Sequence, residues 1–259
     1  MYVHAGKATL CIVAAVLGLV ETTPLACASG TQSAQDNHPK RASFARVKAS
    51  RDVRHIADWV VDSGDNRSMP FIVVDKSNAR VFVFDTNGRV QGASPALLGL
   101  ARGDDSVPGI GERELADIPE QDRTTPAGRF VGEVGRRASG EDIIWIDYST
   151  SFSMHRVLTN NPKERRLERL ATPTIADNRI SFGCINLPVK FYETVVRPAF
   201  NDGKAVVYVL PETRAVRQVF ESYDVDEHRP TRVAESSAPE NAIRAVADYS
   251  SPVAASAGQ

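Results

Sequence analysis

A chain of 259 residues with 42% apolar side chains can bury one sizeable core, but not several. Its formal net charge of −1 provides no basic field for nucleic acid or for an anionic membrane surface. No glycine-rich phosphate loop is present, which removes the common nucleotide-binding classes.

The first 28 residues have the form of an export signal. Lys7, with His4 nearby, precedes an uncharged run from Ala8 to Val20, and Ala26-Cys27-Ala28 supplies a small-x-small cleavage site. The run is too short to cross a bilayer comfortably as a helix, and retention as a short anchor is the alternative. Pro24 stands where a lipoprotein site at Cys27 would want a large aliphatic residue. Cleavage after Ala28 and a product outside the cytoplasm, with no stable membrane span, are the expectation.

Residues 29–43 are polar and are expected to be a flexible lead-in. A helical extension over 44–69 is predicted from apolar spacing at Phe44, Val47, Val53, Ile56, Ala57 and Val60, closed by Ser63-Gly64-Asp65-Asn66. Phe71 to Asp75 and Arg80 to Asp85 form a β-hairpin, and further strands are expected at Arg129 to Val134, Ile143 to Tyr148 and Ala205 to Leu210. The Gly-, Asp- and Pro-rich stretch from Gly103 to Thr125 is a long loop, either functional or merely tolerated. Pro188 opens a helix over Val189 to Val196, which Pro198 and Asn201-Asp202-Gly203 stop. Residues 211–259 are expected to be a largely disordered tail, with room for a short helix from Glu212 to Ser222. The result is mainly β with some α, in one domain spanning 70–210.

The sequence holds three cysteines, Cys11, Cys27 and Cys184. Signal cleavage leaves Cys184 alone, and a single thiol cannot form an internal disulfide. A buried inert cysteine and a nucleophile are the two readings, and the flanking residues bear on the choice. Gly183 permits a tight turn beside the sulfur, and the Gly183 and Cys184 N–H groups are candidate oxyanion donors. A helix beginning close to Cys184 would favour the thiolate through its dipole.

The partner follows by elimination among five histidines. His4 leaves with the signal, His38 is in the lead-in, His55 lies among polar neighbours on the first helix, and His228 is in the tail. His155 alone falls in the strand-rich body, and a cysteine–histidine pair is what thiol acyl transfer requires. One Cys and one His cannot complete a tetrahedral metal site, so no metal and no cofactor are expected.

Three ordered segments carry a resemblance to the L,D-transpeptidase (YkuD-type) family. That family has a histidine, a gap, and then Ser/Thr-His-Gly-Cys followed by a hydrophobic residue and Asn or Arg. Here His155 is followed by Ser181-Phe182-Gly183-Cys184-Ile185-Asn186. Val74 to Phe84 is similar to the family's opening hairpin, and Thr125-Pro126-Ala127-Gly128-Arg129-Phe130 to its Thr-Pro-x-Gly-x-Phe segment. Phe182 replaces the family's second histidine, and positions 156 to 180 form a longer gap than usual, either a lid or a surface insertion.

The resemblance implies a β-sandwich-like catalytic domain located in the periplasm or at the cell wall. Cys184 would attack the bond before the terminal D-alanine of a peptidoglycan tetrapeptide stem, and His155 would shuttle the proton. An acceptor amine would resolve the thioester, needing no cofactor. Ser181 and Asn186 would shape the site, Phe182 the pocket, and Arg179 would contact the substrate carboxylate. An L,D-carboxypeptidase that uses water, and a non-catalytic wall-binding protein, are the alternatives. Nothing in the sequence bears on oligomeric state.

Overall fold

The computed structural model describes residues 38–137 and 139–228. The export signal, most of the lead-in and the tail beyond residue 228 lie outside the described residues. Among the described residues, no helix is long and apolar enough to cross a membrane.

Helix α1 (Arg51–Ser63) starts later than the apolar spacing predicts, because the Ser50 hydroxyl caps it by accepting from the Val53 N–H (3.3 Å). Gly64 ends it in the left-handed conformation, at φ 71°. Phe44, ahead of the helix, packs edge-on against Phe84 with ring centroids 5.3 Å apart. The apolar residues before and within α1 therefore share one buried surface, although only the later ones are helical.

Ten strands follow among the described residues: β1 (Phe71–Asp75), β2 (Arg80–Phe84), β3 (Val90–Pro95), β4 (Leu98–Gly99), β5 (Gly128–Arg136), β6 (Asp142–Asp147), β7 (Phe152–Arg156), β8 (Arg179–Ser181), β9 (Ile185–Leu187) and β10 (Lys204–Val209). Eight form one mixed sheet in the order β3-β2-β1-β10-β5-β6-β7-β9, and β4 pairs with β8. Most neighbours are antiparallel, but β1/β10 and β7/β9 are parallel. All five residues of β1 are buried, as a strand covered on both faces requires.

One face of β1, β2 and β10 joins Ile144, Met154, Ile185 and Leu187 in a core filled by Tyr192, Val196 and Phe200. The two ends of the sheet thus converge on a single core, which gives the domain a sandwich-like character. The opposite face packs on α1 and on the C-terminal segment. The helix after Pro188 begins as α3 (Val189–Phe191), continues with wider winding over Tyr192–Val196, and tightens over Arg197–Phe200. Pro198 does not stop it, because a proline in the first turn of the tightened segment needs no amide donor.

Within the stretch expected to be largely disordered, residues 211–228 are structured, and the short helix allowed for between Glu212 and Ser222 is present. Val216 and Phe220 of α4 (Val216–Phe220) and Val225 are buried, and the Glu212 side chain is fully enclosed. Val216 and Phe220 are four residues apart, so one face of a short helix completes the second core.

Candidate active site

Alternation along β7 turns Met154 into the main core and places Ser153 and His155 on the other face. Strand β9 runs parallel beside it, with His155 opposite Asn186. Cys184 is the residue that enters β9, and its half-buried sulfur takes two contacts. The Ser153 hydroxyl lies 3.4 Å from Sγ, and the thiol donates to the Ser151 carbonyl at 3.6 Å.

The loop before the sulfur is fixed by short hydrogen bonds. Ser181 Oγ accepts from the Gly183 N–H (3.1 Å) and donates to the Cys184 carbonyl (2.7 Å). Asn186 Nδ2 donates to the same carbonyl (3.1 Å), and its Oδ1 accepts from Arg166 (2.7 Å). Thr125 Oγ1 donates to the Gly183 carbonyl and accepts from the Gly99 N–H, both at 2.8 Å. Gly183 has φ 131°, and a Cβ there would lie 2.7 Å from the Thr124 carbonyl oxygen, so no other residue fits.

Two electrostatic expectations change. The Gly183 N–H already binds Ser181, whereas the Cys184 N–H has no protein acceptor among the described residues. Strand β9 lies between Cys184 and the helix that begins at Val189, so the helix does not begin at the sulfur.

His155 Nδ1 lies 2.7 Å from the Arg156 carbonyl. A carbonyl only accepts, so Nδ1 carries the proton and Nε2 presents its lone pair. Burial pushes the imidazole pKa down to about 4, against the Arg156 hydrogen bond and with help from the nearby Arg137 and Arg166 charges. The ring is therefore neutral at pH 7 and able to take a proton. No direct hydrogen bond joins His155 to Cys184; Ser153, two residues away on the same strand face, makes the contact with sulfur instead.

A cavity of about 240 Å³ opens on Cys184 and is lined by Phe182, Gly183, Ser151 and Phe152 together with Ile110, Gly111 and Leu115. The loop from 103 to 125 thus forms a cleft wall. Phe182 lines the cavity, and the Arg123 guanidinium sits over its ring at 4.3 Å from the centroid. The 156–180 stretch holds α2 (Arg166–Ala171), whose Arg166 reaches Asn186. A larger cavity, lined by residues of α1 and of 214–226 with Arg41, holds no cysteine and is lined mainly by charged side chains, several of them ion-paired.

Arg179 is not at the cleft. Its guanidinium pairs with the buried Glu212 carboxylate (2.5 Å) and donates to the Lys76 carbonyl (3.0 Å). A role in binding a substrate carboxylate is therefore replaced by an internal one. Ser153 and Arg166 are functional candidates that sequence reasoning missed: one is a serine in an unpredicted strand, the other one of several arginines in an insertion. Among the described residues, no group of three or more His, Cys, Asp or Glu side chains is arranged to hold a metal ion.

No protein-family model and no curated protein matches the sequence. Solved structures do match. A Cys-to-Ser mutant of the Enterococcus faecium L,D-transpeptidase has 17% identity over 55% of this chain and 50% of its own, with a TM-score of 0.30. The carbamoyl enzyme formed by Ldtfm with avibactam has 18% identity over 55% of this chain and 49% of its own, with a TM-score of 0.32. The LD transpeptidase LdtMt1 in complex with imipenem has 16% identity over 54% of this chain and 58% of its own, with a TM-score of 0.30. The chain thus spans about half the length of these proteins.

Proposed function

We propose that the chain is a cysteine-nucleophile acyltransferase acting on peptidoglycan stem peptides outside the cytoplasm, as an L,D-transpeptidase. The observation that carries this reading is the neutral His155 imidazole, with Nε2 unprotonated, on the strand paired with the one that Cys184 enters. The ordered resemblance of Val74 to Phe84, Thr125 to Phe130 and Ser181 to Asn186 supplies the substrate class.

In the proposed reaction, His155 Nε2 accepts the Sγ–H proton while Ser153 holds the sulfur. The thiolate adds to the carbonyl that precedes the terminal D-alanine, and the Cys184 N–H stabilises the oxyanion. Collapse breaks the amide bond, His155 returns the proton to the departing D-alanine amine, and a thioester remains on Cys184. An acceptor amine then attacks the thioester and loses a proton to His155, which passes it to the departing Cys184 sulfur, leaving a new peptide bond and a free thiol.

The test is incubation of the purified protein with disaccharide-tetrapeptide, followed by mass spectrometry, with Cys184→Ala as control. Cross-linked dimers and free D-alanine are expected. Tripeptide with D-alanine and no dimer would assign hydrolysis instead. No product and no adduct on Cys184 in the folded protein would overturn the enzymatic reading.

A further inference from the structure

Behind the cleft lie four buried or nearly buried charges that take no part in the proposed reaction. The Lys76 ammonium, fully enclosed, donates to the Gly103 carbonyl (2.5 Å), the Asp104 carboxylate (2.8 Å) and the Thr125 carbonyl (2.8 Å). Asp104 also accepts from the backbone N–H groups of Glu212, Thr213 and Arg214, at 2.8, 2.9 and 2.9 Å. Glu212 takes the Arg179 guanidinium with both oxygens (3.1 and 2.5 Å) and accepts from the Gly103 N–H (3.2 Å). Arg102 and Arg214 reach these two carboxylates from the surface, at 3.3 and 3.6 Å.

Two cations and two anions balance within the knot, as buried charges require. Burial alone would raise the Asp104 pKa, but the bonds from Lys76, Thr213 and the backbone outweigh it and hold the carboxyl well below the usual carboxylate range.

The knot joins the two sides of the cleft. From Gly103 and Asp104 the chain runs into the wall that carries Ile110 and Gly111. From Arg179, strand β8 runs to Ser181 and on to Cys184. Thr125 closes the circuit, with its carbonyl on Lys76 and its hydroxyl on the Gly183 carbonyl.

We propose that Glu212 is a positioning residue for the thiol cleft, its carboxylate tying the Gly103 end of the wall to Arg179 at the head of the strand that delivers Cys184. This rests on Cys184 being the nucleophile. The C-terminal segment 210–214 then sets the spacing of the cleft. The simpler rival is that Glu212 only neutralises buried cations.

A charge-balanced double variant separates the two. Arg179→Gln with Glu212→Gln removes one cation and one anion and leaves Lys76 and Asp104 paired. If Glu212 positions the cleft, the folded double variant shows KM for the tetrapeptide raised about fivefold or more, and Cys184 reacts with a bulky maleimide faster by a similar factor. A loss of stability alone would reduce the active fraction and leave KM unchanged. Wild-type KM and maleimide rate in the folded double variant would overturn the proposal. Should the double variant not fold, Glu212→Asp keeps the charge and shortens the tie, and an unchanged maleimide rate there overturns it equally. If the wild-type protein turns over no stem peptide, the functional reading fails, while the maleimide comparison still decides the role of Glu212.

Discussion

The Ser153 hydroxyl and the Cys184 sulfur lie 3.4 Å apart, brought together by the parallel pairing of β7 with β9. The hydroxyl is buried, so its proton has few competing acceptors, and a thiolate forming at Cys184 would be a stronger acceptor than the resting thiol. Ser153→Ala removes that donor with little change in volume. Acylation should slow about tenfold, the size expected for one hydrogen bond to a charged group. Time-resolved mass spectrometry of the Cys184 adduct measures it, and an unchanged rate would remove Ser153 from the mechanism.

His155→Gln keeps a polar side chain of similar size and removes the base. Turnover should fall by about 10²–10⁴, the range for loss of a general acid–base group, while the circular dichroism spectrum stays that of the folded protein. Retention of more than about a tenth of wild-type turnover would assign the proton transfer elsewhere.

Acid should reveal His155 in the rate profile. Because burial holds its pKa at about 4, the base stays unprotonated through the range where an ordinary histidine titrates. Turnover should not decline at the ordinary value near 6.5, and the acid limb assigned to His155 should lie near 4. A pH–rate profile on folded protein checks this, and an acid limb that survives unchanged in a His155 variant with residual activity would belong to another group.

The same shift acts on stability. The folded state holds fewer protons on residue 155 than the unfolded state does between pH 6.5 and about 4, so this contribution to stability is complete above 6.5 and is lost as pH falls to about 4. Its full size is about 3 kcal/mol, from 1.36 kcal/mol per pKa unit. Urea unfolding at several pH values should show this loss in the wild type and less of it in His155→Gln. Asp104 acts in the same direction, but its loss continues to lower pH because its carboxyl is held below the usual range.

Asn186→Ala leaves the Arg166 guanidinium without one acceptor and the Cys184 carbonyl without one of its two side-chain donors. Asn186 is 1% exposed, so water does not readily replace these bonds. A loss of about 1–3 kcal/mol in unfolding free energy is expected, together with slower acylation. Thermal and urea denaturation measure the first, and adduct formation on Cys184 the second.

The hairpin of β1 and β2 and the strands β5, β6 and β10 are legible in the sequence because runs of Val, Ile and Phe mark them. Strand β3, with the sequence Val-Gln-Gly-Ala-Ser-Pro, is not: it has little β-propensity and is held by pairing along β2. Strand β7 carries Ser, Met, His and Arg, so local pattern puts His155 after a strand, whereas it lies within one. Cys184 and His155 are singled out in the sequence by elimination, but the pairing of the strand that holds His155 with the strand that Cys184 precedes is parallel, and no local pattern encodes it. The place of Arg179 is hidden because its partner, Glu212, lies 33 residues away in a segment whose composition suggests disorder.

The parallel pairing of β1 with β10 has a consequence for biosynthesis. Phe71 pairs with Val206, so a chain emerging amino end first cannot close the centre of its sheet until 135 further residues have followed. Glu212 comes 28 residues after Cys184. The sulfur therefore emerges before the segment that braces its surroundings, and a nascent or truncated chain ending short of Glu212 carries the thiol without that brace.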